Sequence, residues 1–273
     1  DQVSNFKKGD IVGVGCLVES CRTCESCIEG EEQYCPGTVY TYNGIEKETG
    51  NNTLGGYSNH IVVDEHFVVS VSEKLPLDKV APLLCAGITT YSPLRRWNIG
   101  KGHKVGIVGL GGLGHMAVKF ASSFGAEVTM LSTSPSKEKD AIGLGAHKFA
   151  LTTNAEAVAG LTGYFDFILD TVASEHDINP YLTMLKTHGT LVCLGIDPHP
   201  IPVSVVGMVF GAKTLAGSLI GGMRETQEML DYCAEHNITS DVEMINMKDI
   251  NQAYERMQKN DVKYRFVIDM ATL

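Results

Sequence analysis

The sequence predicts an α/β protein in three stretches: a β-rich first part, a doubly wound parallel α/β domain, and a tail that returns to the first part. Three observations carry this. Short β-rich runs separated by turn clusters fill the first 80 or so residues; from Lys104 onward strands alternate with helical patterns; and the first of those strands runs directly into a glycine-rich turn. Alternating strands and helices imply parallel pairing through right-handed crossovers. A chain of 273 residues has room for one large or two modest domains. The boundaries read as 1–85, 86–218 and 219–273.

The β-rich runs lie at 10–18, 56–63 and 67–70, with turn residues such as those at 50–52 between them. In the second stretch the strand candidates are 104–109, 127–132, 165–170 and 190–195. The clearest helix follows the first of these. Leu113, Met116, Ala117, Phe120, Ala121 and Phe124 recur at the spacing of one buried helical face, and Gly125 is placed to end it. Beyond about Gly217, residues 224–237 and 248–260 read as helices and 263–269 as a closing strand.

Hydrophobic residues make up 44% of the chain and charged residues 20%, which excludes a disordered protein. The 32 acidic and 22 basic residues give a net charge of −10 with no basic block, a poor match to nucleic-acid binding. No charged n-region precedes an apolar h-region, so no signal peptide is read and the cytoplasm is the expected compartment. The longest weakly polar stretch, 201–223, contains Ser204, Lys213, Thr214 and several glycines, so it reads as a buried segment of a soluble domain rather than a membrane span. It is also too apolar for an exposed monomer surface, which points to a homodimer. The chain begins at Asp1 and enters what reads as the middle of a sheet domain, which predicts a preceding segment.

Four of the 8 cysteines, Cys21, Cys24, Cys27 and Cys35, follow the pattern C-x2-C-x2-C-x7-C. In a chain without a secretory signal, such spacing reads as metal binding rather than disulfides. Four thiolates on one loop can close a tetrahedron around zinc, leaving no open position, so the zinc would be structural. The rival is an iron–sulfur cluster, since Cys35 is followed by Pro36, but the last ferredoxin spacing is three residues rather than seven and no second run exists. Cys16 sits on an apolar strand and reads as a small buried hydrophobe.

The strand KVGIVG leads into Gly109, Leu110, Gly111, Gly112, Leu113 and Gly114, where the amphipathic helix opens. This is the context a G-x-G-x-x-G dinucleotide fingerprint requires. Gly109 permits the tight turn, Gly111 lets the backbone approach a pyrophosphate, and Gly114 lets helix and sheet pack closely. The anion would meet free N–H groups at the positive end of the helix dipole. An NAD site usually carries an acid at the end of the second strand; here stand Ser132, Thr133, Ser134 and Lys137. Hydroxyls and a cation suit a 2′-phosphate, so NADP(H) is expected. The alternative is that the serines only cap the next helix.

A four-cysteine lobe, then APLLCAG, then a Rossmann fingerprint is a specific combination. Together with GDIVGVGC, LGGYSNHIVV, APLLCAGITTYSPLRRW, GLGGLGHMAVKFA and DVKYRFVID, it resembles the zinc-dependent medium-chain alcohol dehydrogenases, in particular the cinnamyl alcohol dehydrogenase branch with its broad-range NADP-dependent aldehyde reductases. The resemblance runs from Asp10 to Ile268. It implies a GroES-like catalytic domain, incomplete at its N-terminus, joined to a Rossmann domain. It implies structural zinc on Cys21, Cys24, Cys27 and Cys35, and Cys85 as one ligand of a catalytic zinc. It places Thr89 near the nicotinamide, Gly109 to Gly114 on the pyrophosphate, and Ser132, Thr133, Ser134 and Lys137 around the 2′-phosphate. Thr171, Gly195, Ser218, Leu219 and Ile220 would line the cofactor, with Arg265 near the pyrophosphate. The family draws two further catalytic-zinc ligands, a Cys and a His, and a proton-relay hydroxyl and histidine, from a segment ahead of Asp1. His60 and His66 match none of them and read as surface or loop histidines.

The expected activity is therefore zinc-dependent, NADP(H)-linked interconversion of aldehydes and primary alcohols, a small-molecule substrate with no nucleic-acid or membrane partner. Two rivals are a zinc-free quinone or enone reductase of the same fold, and a truncated or non-catalytic NADPH-binding protein. Metal content separates them: two zincs per chain for the intact enzyme, one for the fragment and none for the zinc-free reductase.

Overall fold

A computed structural model describes residues 3–273. The chain divides into two compact units, 1–88 with 220–273, and 89–219. In the first, β1 (Val12–Val14), β2 (Leu17–Glu19), α1 (Glu25–Glu29), β3 (Val39–Tyr40), β4 (Tyr42–Ile45), β5 (Asn52–Leu54) and β6 (Val68–Ser70) form antiparallel pairs β1–β6, β2–β3 and β4–β5. Helix α2 (Ala86–Arg96) crosses into the second unit.

The second unit continues with β7 (Lys104–Val108), α3 (Gly114–Ser123), β8 (Glu127–Ser132), α4 (Glu138–Gly143), β9 (Lys148–Leu151), α5 (Ala155–Gly160), β10 (Phe165–Asp170), α6 (Asn179–Met184), β11 (Leu185–Cys193), α7 (Val205–Val209) and β12 (Thr214–Gly217). Its six strands are all parallel in the order β12-β11-β10-β7-β8-β9. The order reverses between β7 and β10, and ligands of such sheets bind at the carboxyl ends of the strands beside that switch point. The strands are almost continuously apolar because both faces are covered: Val105, Ile107, Val128, Met130, Ile168, Leu169, Leu191 and Val192 are all fully buried. Met116, Ala117, Phe120 and Ala121 of α3 are buried as their spacing predicts, and Gly125 ends the helix with φ +87°. Burying each of the larger side chains contributes roughly 1.5–3 kcal/mol.

The first unit is completed by α8 (Met223–His236), β13 (Val242–Asn246), α9 (Ile250–Gln258) and β14 (Arg265–Asp269), with β13 and β14 parallel. Helix α8 buries Met223, Thr226, Met229, Leu230 and Cys233 and stops at Asn237, whose φ of 54° is left-handed. Glu32 ties three segments of this unit together. Its carboxylate accepts the Met223 backbone N–H at 3.0 Å and lies 3.0 Å from His66 Nε2. An anion at the first N–H of a helix is favoured by the helix dipole. A Cβ on Gly222 would overlap the Gly30 carbonyl oxygen, so only glycine lets the lobe and the helix start approach this closely.

Two expectations are corrected here. Residues 56–63 form no strand; no neighbour offers them a ladder, and Val62 is wholly exposed. Cys16 is not simply a buried hydrophobe: it is half-buried between β1 and β2, and its thiol is engaged as described below.

Candidate active site

The phosphate cradle forms where β7 ends. Gly109 turns the chain at φ +86°, its N–H bonded to the Leu131 carbonyl at 3.0 Å, and α3 opens at Gly114. Leu110 is buried and anchors the turn, while Gly111 is exposed with nothing within 4 Å of where a Cβ would stand. A Cβ on Gly114 would overlap the Gly109 carbonyl oxygen. Across the switch point, Thr171 at the end of β10 donates its Oγ1–H to the Val108 carbonyl at 2.7 Å and to that of Gly109 at 3.2 Å. Thr171 thus pins the turn from the neighbouring strand. These are the features a bound pyrophosphate needs: unobstructed N–H groups at a helix start and room for backbone contact.

At the end of β8, Ser132 is buried, and its Oγ accepts the Ser134 N–H at 3.1 Å. Ser134 Oγ meets Ser136 Oγ at 2.9 Å. Neither the short turn after Ser134 nor α4 receives a side-chain cap, so these hydroxyls do not serve as helix caps. Thr133 is exposed and Lys137 half-exposed beside them. Gly195 follows β11, where a Cβ would overlap the Val172 carbonyl, and Ser218 follows β12 with its N–H toward Cys193 at 3.3 Å; Leu219 ends the unit. The glycine turn, Ser132 to Lys137, Thr171, Gly195 and Ser218 therefore lie at the carboxyl ends of strands of a single sheet. Thr89 is buried in α2, whereas Ile220 and Arg265 belong to the first unit.

Sequence reading missed two groups behind this edge. His115 is fully buried with Nδ1 3.3 Å from the Gly111 carbonyl. Asp170, 2% exposed, bonds His176 Nε2 at 2.9 Å and accepts the Val172 N–H, while His176 Nδ1 lies 2.8 Å from the Ser174 carbonyl. Burial opposes a charge on His176, but the Ser174 carbonyl and the Asp170 carboxylate outweigh it and raise its pKa. Burial likewise raises Asp170, against the Val172 N–H and His176. The pair closes the 171–176 loop on itself.

In the first unit, the ligand atoms of Cys21, Cys24, Cys27 and Cys35 all lie within 4.8 Å of one another, with Cys21 and Cys27 4.0 Å apart. Zinc–sulfur bonds of about 2.3 Å give a tetrahedron with edges of roughly 3.8 Å, so the set fits a zinc ion with small adjustments. Backbone N–H groups already face the sulfurs: Cys24 donates to Cys21 Sγ at 3.3 Å, and Cys21 and Gly37 donate to Cys35 Sγ at 3.3 and 3.2 Å. Hydrogen bonds from the Thr23 and Cys24 backbone lower Cys21 to about 5. Cys35 is lowered too: burial opposes it, and the Cys21 and Gly37 N–H groups prevail. Thiolates this close repel unless a cation sits among them.

Cys85 sits in the wall of a cavity of about 280 Å³ that is also lined by Cys16, Tyr42, Ser58, His60 and Leu84. The Cys16 thiol lies 3.6 Å from the Leu84 carbonyl and hydrogen-bonds the Cys85 thiol. That hydrogen bond, opposed by burial and helped by the Arg265 guanidinium, lowers Cys85 to about 6; Cys16 is pushed up by the same bond and by burial. His60 is an exposed loop residue on Asn59, and His66 is held by Glu32. Among the described residues no group of three metal-binding side chains includes Cys85, so the donors present do not by themselves fit a catalytic zinc.

Residues 1–73 match the family model for the alcohol dehydrogenase GroES-like domain, and residues 112–235 that for zinc-binding dehydrogenases. The chain is 53% identical over 274 aligned positions to the NADP-dependent alcohol dehydrogenase C 1 of Mycolicibacterium smegmatis, covering 100% of this chain and 78% of that protein. The chain belongs to the zinc-binding medium-chain alcohol dehydrogenases. Among solved structures, a cinnamyl alcohol dehydrogenase of Sorghum bicolor superposes with a TM-score of 0.96 at 48% identity, covering 98% of this chain and 77% of that one. The Helicobacter pylori cinnamyl alcohol dehydrogenase complexed with NADP(H) gives 0.92 at 44% identity, with 98% and 77% covered. The four-cysteine lobe and the switch-point turn are thus features of a dehydrogenase of this family. Both are contiguous in sequence, which is why they were readable.

Proposed function

We propose that this chain is an NADP(H)-dependent oxidoreductase that interconverts aldehydes and primary alcohols. The observation that carries this is the glycine turn at the β7/β10 switch point, beside a β8 end that offers hydroxyls and a lysine and no acid. The nicotinamide cofactor, when bound, supplies or takes up the hydride. The N–H groups at the start of α3 bind the pyrophosphate, and Thr171 keeps the turn rigid around it. Ser132, Thr133 and Lys137 donate to the 2′-phosphate. Zinc in the four-cysteine lobe is structural, since four thiolates leave no open position. Cys85 is a single thiolate toward a catalytic metal, and the described residues do not complete that ligand set. None of the eight cysteines is in a disulfide, which suits the reducing cytoplasm. No helix among the described residues is long and apolar enough to cross a membrane.

The test is oxidation of NADPH by the purified, zinc-loaded protein with a panel of aromatic and aliphatic aldehydes, quinones and enones. Aldehyde turnover supports the proposal. Turnover of quinones or enones alone favours the zinc-free reductase reading, and NADPH binding without turnover favours a non-catalytic role. Ser132→Asp places a carboxylate where the phosphate would sit. Each hydrogen bond to a charged group is worth about 1.5–3 kcal/mol, so NADPH should bind roughly tenfold or more weakly while NADH is tolerated better. Equal affinity of the unaltered protein for NADH and NADPH would overturn this part of the reading.

We further infer a homodimer that covers α7. Val205, Val206, Val209 and Phe210 are 65–89% exposed there, an apolar patch that a second copy would bury. Phe210→Asp should cost about 2 kcal/mol or more of association, raising the dimer Kd roughly 30-fold. Light scattering at micromolar concentration checks this, and a monomeric unaltered protein would count against it.

A further inference from the structure

Beyond β10 the chain runs through residues 171–178 in no helix or strand, with 173–175 exposed. Yet the first two residues of this loop form one wall of the phosphate cradle. Thr171 Oγ1 bonds the Val108 and Gly109 carbonyls. Val172 lies over the same turn, its Cγ2 only 2.8 Å from where a Cβ on Gly109 would stand, and its carbonyl is set against Gly195. A loop that shapes a binding edge needs a scaffold to hold it, and the exposed middle of this one has no ladder of its own.

The Asp170–His176 pair supplies that hold. Asp170 Oδ1 accepts the Val172 N–H at 3.1 Å and Oδ2 lies 2.9 Å from His176 Nε2, while His176 Nδ1 lies 2.8 Å from the Ser174 carbonyl. One pair of side chains thus fixes residues 172, 174 and 176. Both ring nitrogens face acceptors. A carbonyl oxygen has no hydrogen to give, so Nδ1 must donate, and the contact between Nε2 and Oδ2 needs a second proton. Whether that proton sits on nitrogen or oxygen, the pair is neutral overall. Without it a nitrogen lone pair faces a carboxylate oxygen whose side chain is 2% exposed, where water cannot relieve the repulsion.

We propose that His176 is a positioning residue for the cofactor: its doubly hydrogen-bonded imidazolium holds residues 171 and 172 against the glycine turn, and loss of its proton slackens that wall and weakens NADPH binding. This rests on the glycine turn being the cofactor cradle, on which His176 acts through Val172 and Ser174. Asp170, on β10, is the first charged group facing it. Asp197, beyond β11, is the second; the His199 backbone N–H and ring hold its carboxyl below the usual range, so it stays an anion. The exposed Glu175 and Asp177 flank the ring in sequence. Tyr181 of α6 lies 6.1 Å away, and Cys193 of β11 faces Asp170; burial pushes them to about 12 and about 11, so both stay neutral near pH 7. Burial opposes the imidazolium, but the Ser174 carbonyl and the anions prevail and lift it above the ordinary histidine value of 6.5. The hold is therefore complete below that value and is lost as pH rises through the raised one. All these residues belong to the 89–219 unit.

The experiment measures NADPH affinity from mildly acidic to mildly alkaline pH, by fluorescence of the reduced nicotinamide, in the unaltered protein and in His176→Gln. A glutamine amide donates to Asp170 or to the Ser174 carbonyl and does not titrate. The unaltered protein should show a Kd that rises roughly tenfold as His176 loses its proton; the variant should bind weakly throughout and lack that rise. Further ionisation of the 2′-phosphate strengthens binding as pH rises, which is opposite in sign and common to both proteins. The same pH profile in both proteins would overturn the proposal even if the variant is less heat-stable, because a purely structural histidine moves the melting temperature and not the profile. Imidazole NMR of the unaltered protein decides the matter even if the variant fails to fold. By linkage, NADPH should raise the pKa of His176, and a titration that NADPH leaves unmoved would sink the idea. Failure to bind NADPH at any pH would instead remove the cradle reading, and this proposal with it.

Discussion

Cys35→Ser should release one zinc per chain and unfold the 20–37 lobe. Cys35 is 5% exposed, and its sulfur gathers two backbone N–H groups and three neighbouring thiols. Structural zinc sites bind with an apparent roughly 10–16 kcal/mol in small peptides, so one ligand of four accounts for about 2.5–4 kcal/mol, or roughly a hundredfold to a thousandfold in zinc affinity. A serine hydroxyl keeps the size but is not ionised at neutral pH and replaces a thiolate poorly. Zinc release to a chromogenic chelator should rise by one equivalent, and limited proteolysis should cut within 20–37. NADPH binding by the 89–219 unit should stay unchanged. Retention of the full zinc content in this variant would reject a four-cysteine site.

The second large effect is expected at Gly114. A methyl group there overlaps the Gly109 carbonyl oxygen, so either the turn opens or α3 moves off the sheet. Forced overpacking of this kind costs about 1–3 kcal/mol of stability. Opening the turn also removes N–H contacts to the pyrophosphate, which should weaken NADPH binding by roughly a hundredfold or more. Gly111→Ala is the informative partner. Its Cβ meets nothing in the protein, so thermal stability should hold, yet it stands where the pyrophosphate must approach. Gly114→Ala should lose stability and binding together, and Gly111→Ala binding alone. Tight NADPH binding by Gly111→Ala would show that this turn is not the cradle.

The contrast also shows what a linear sequence makes legible. β8 and β10 fall at 127–132 and 165–170, as their apolar runs predicted, because a strand covered on both faces must be apolar throughout. β11 begins at Leu185, earlier than residue 190, since Lys186 and His188 disguise its entry into the sheet. The first unit was harder. The run at 56–63 has strand-like residues, yet a strand also needs a partner, and pairing is not written in the run itself. The site divides in the same way. The cysteine lobe and the glycine turn are contiguous, so spacing alone exposes their chemistry. Cys16 with Cys85, and Glu32 with His66 and Met223, meet only after distant segments fold together, and nothing local to Cys16 or Glu32 announces it.

Glu32 has a further consequence for the order in which the molecule can be completed during synthesis. The unit that contains it is assembled from 1–88 and 220–273, while 89–219 is continuous. A ribosome delivers the chain from its N-terminus, and domains fold as they emerge. The continuous unit has all its own residues before Met223 is made. Glu32, translated nearly two hundred residues earlier, must wait for that N–H. Until then the lobe has its cysteines but not its brace, so a nascent chain stalled before residue 220 would carry a finished nucleotide-binding sheet and an unlatched lobe.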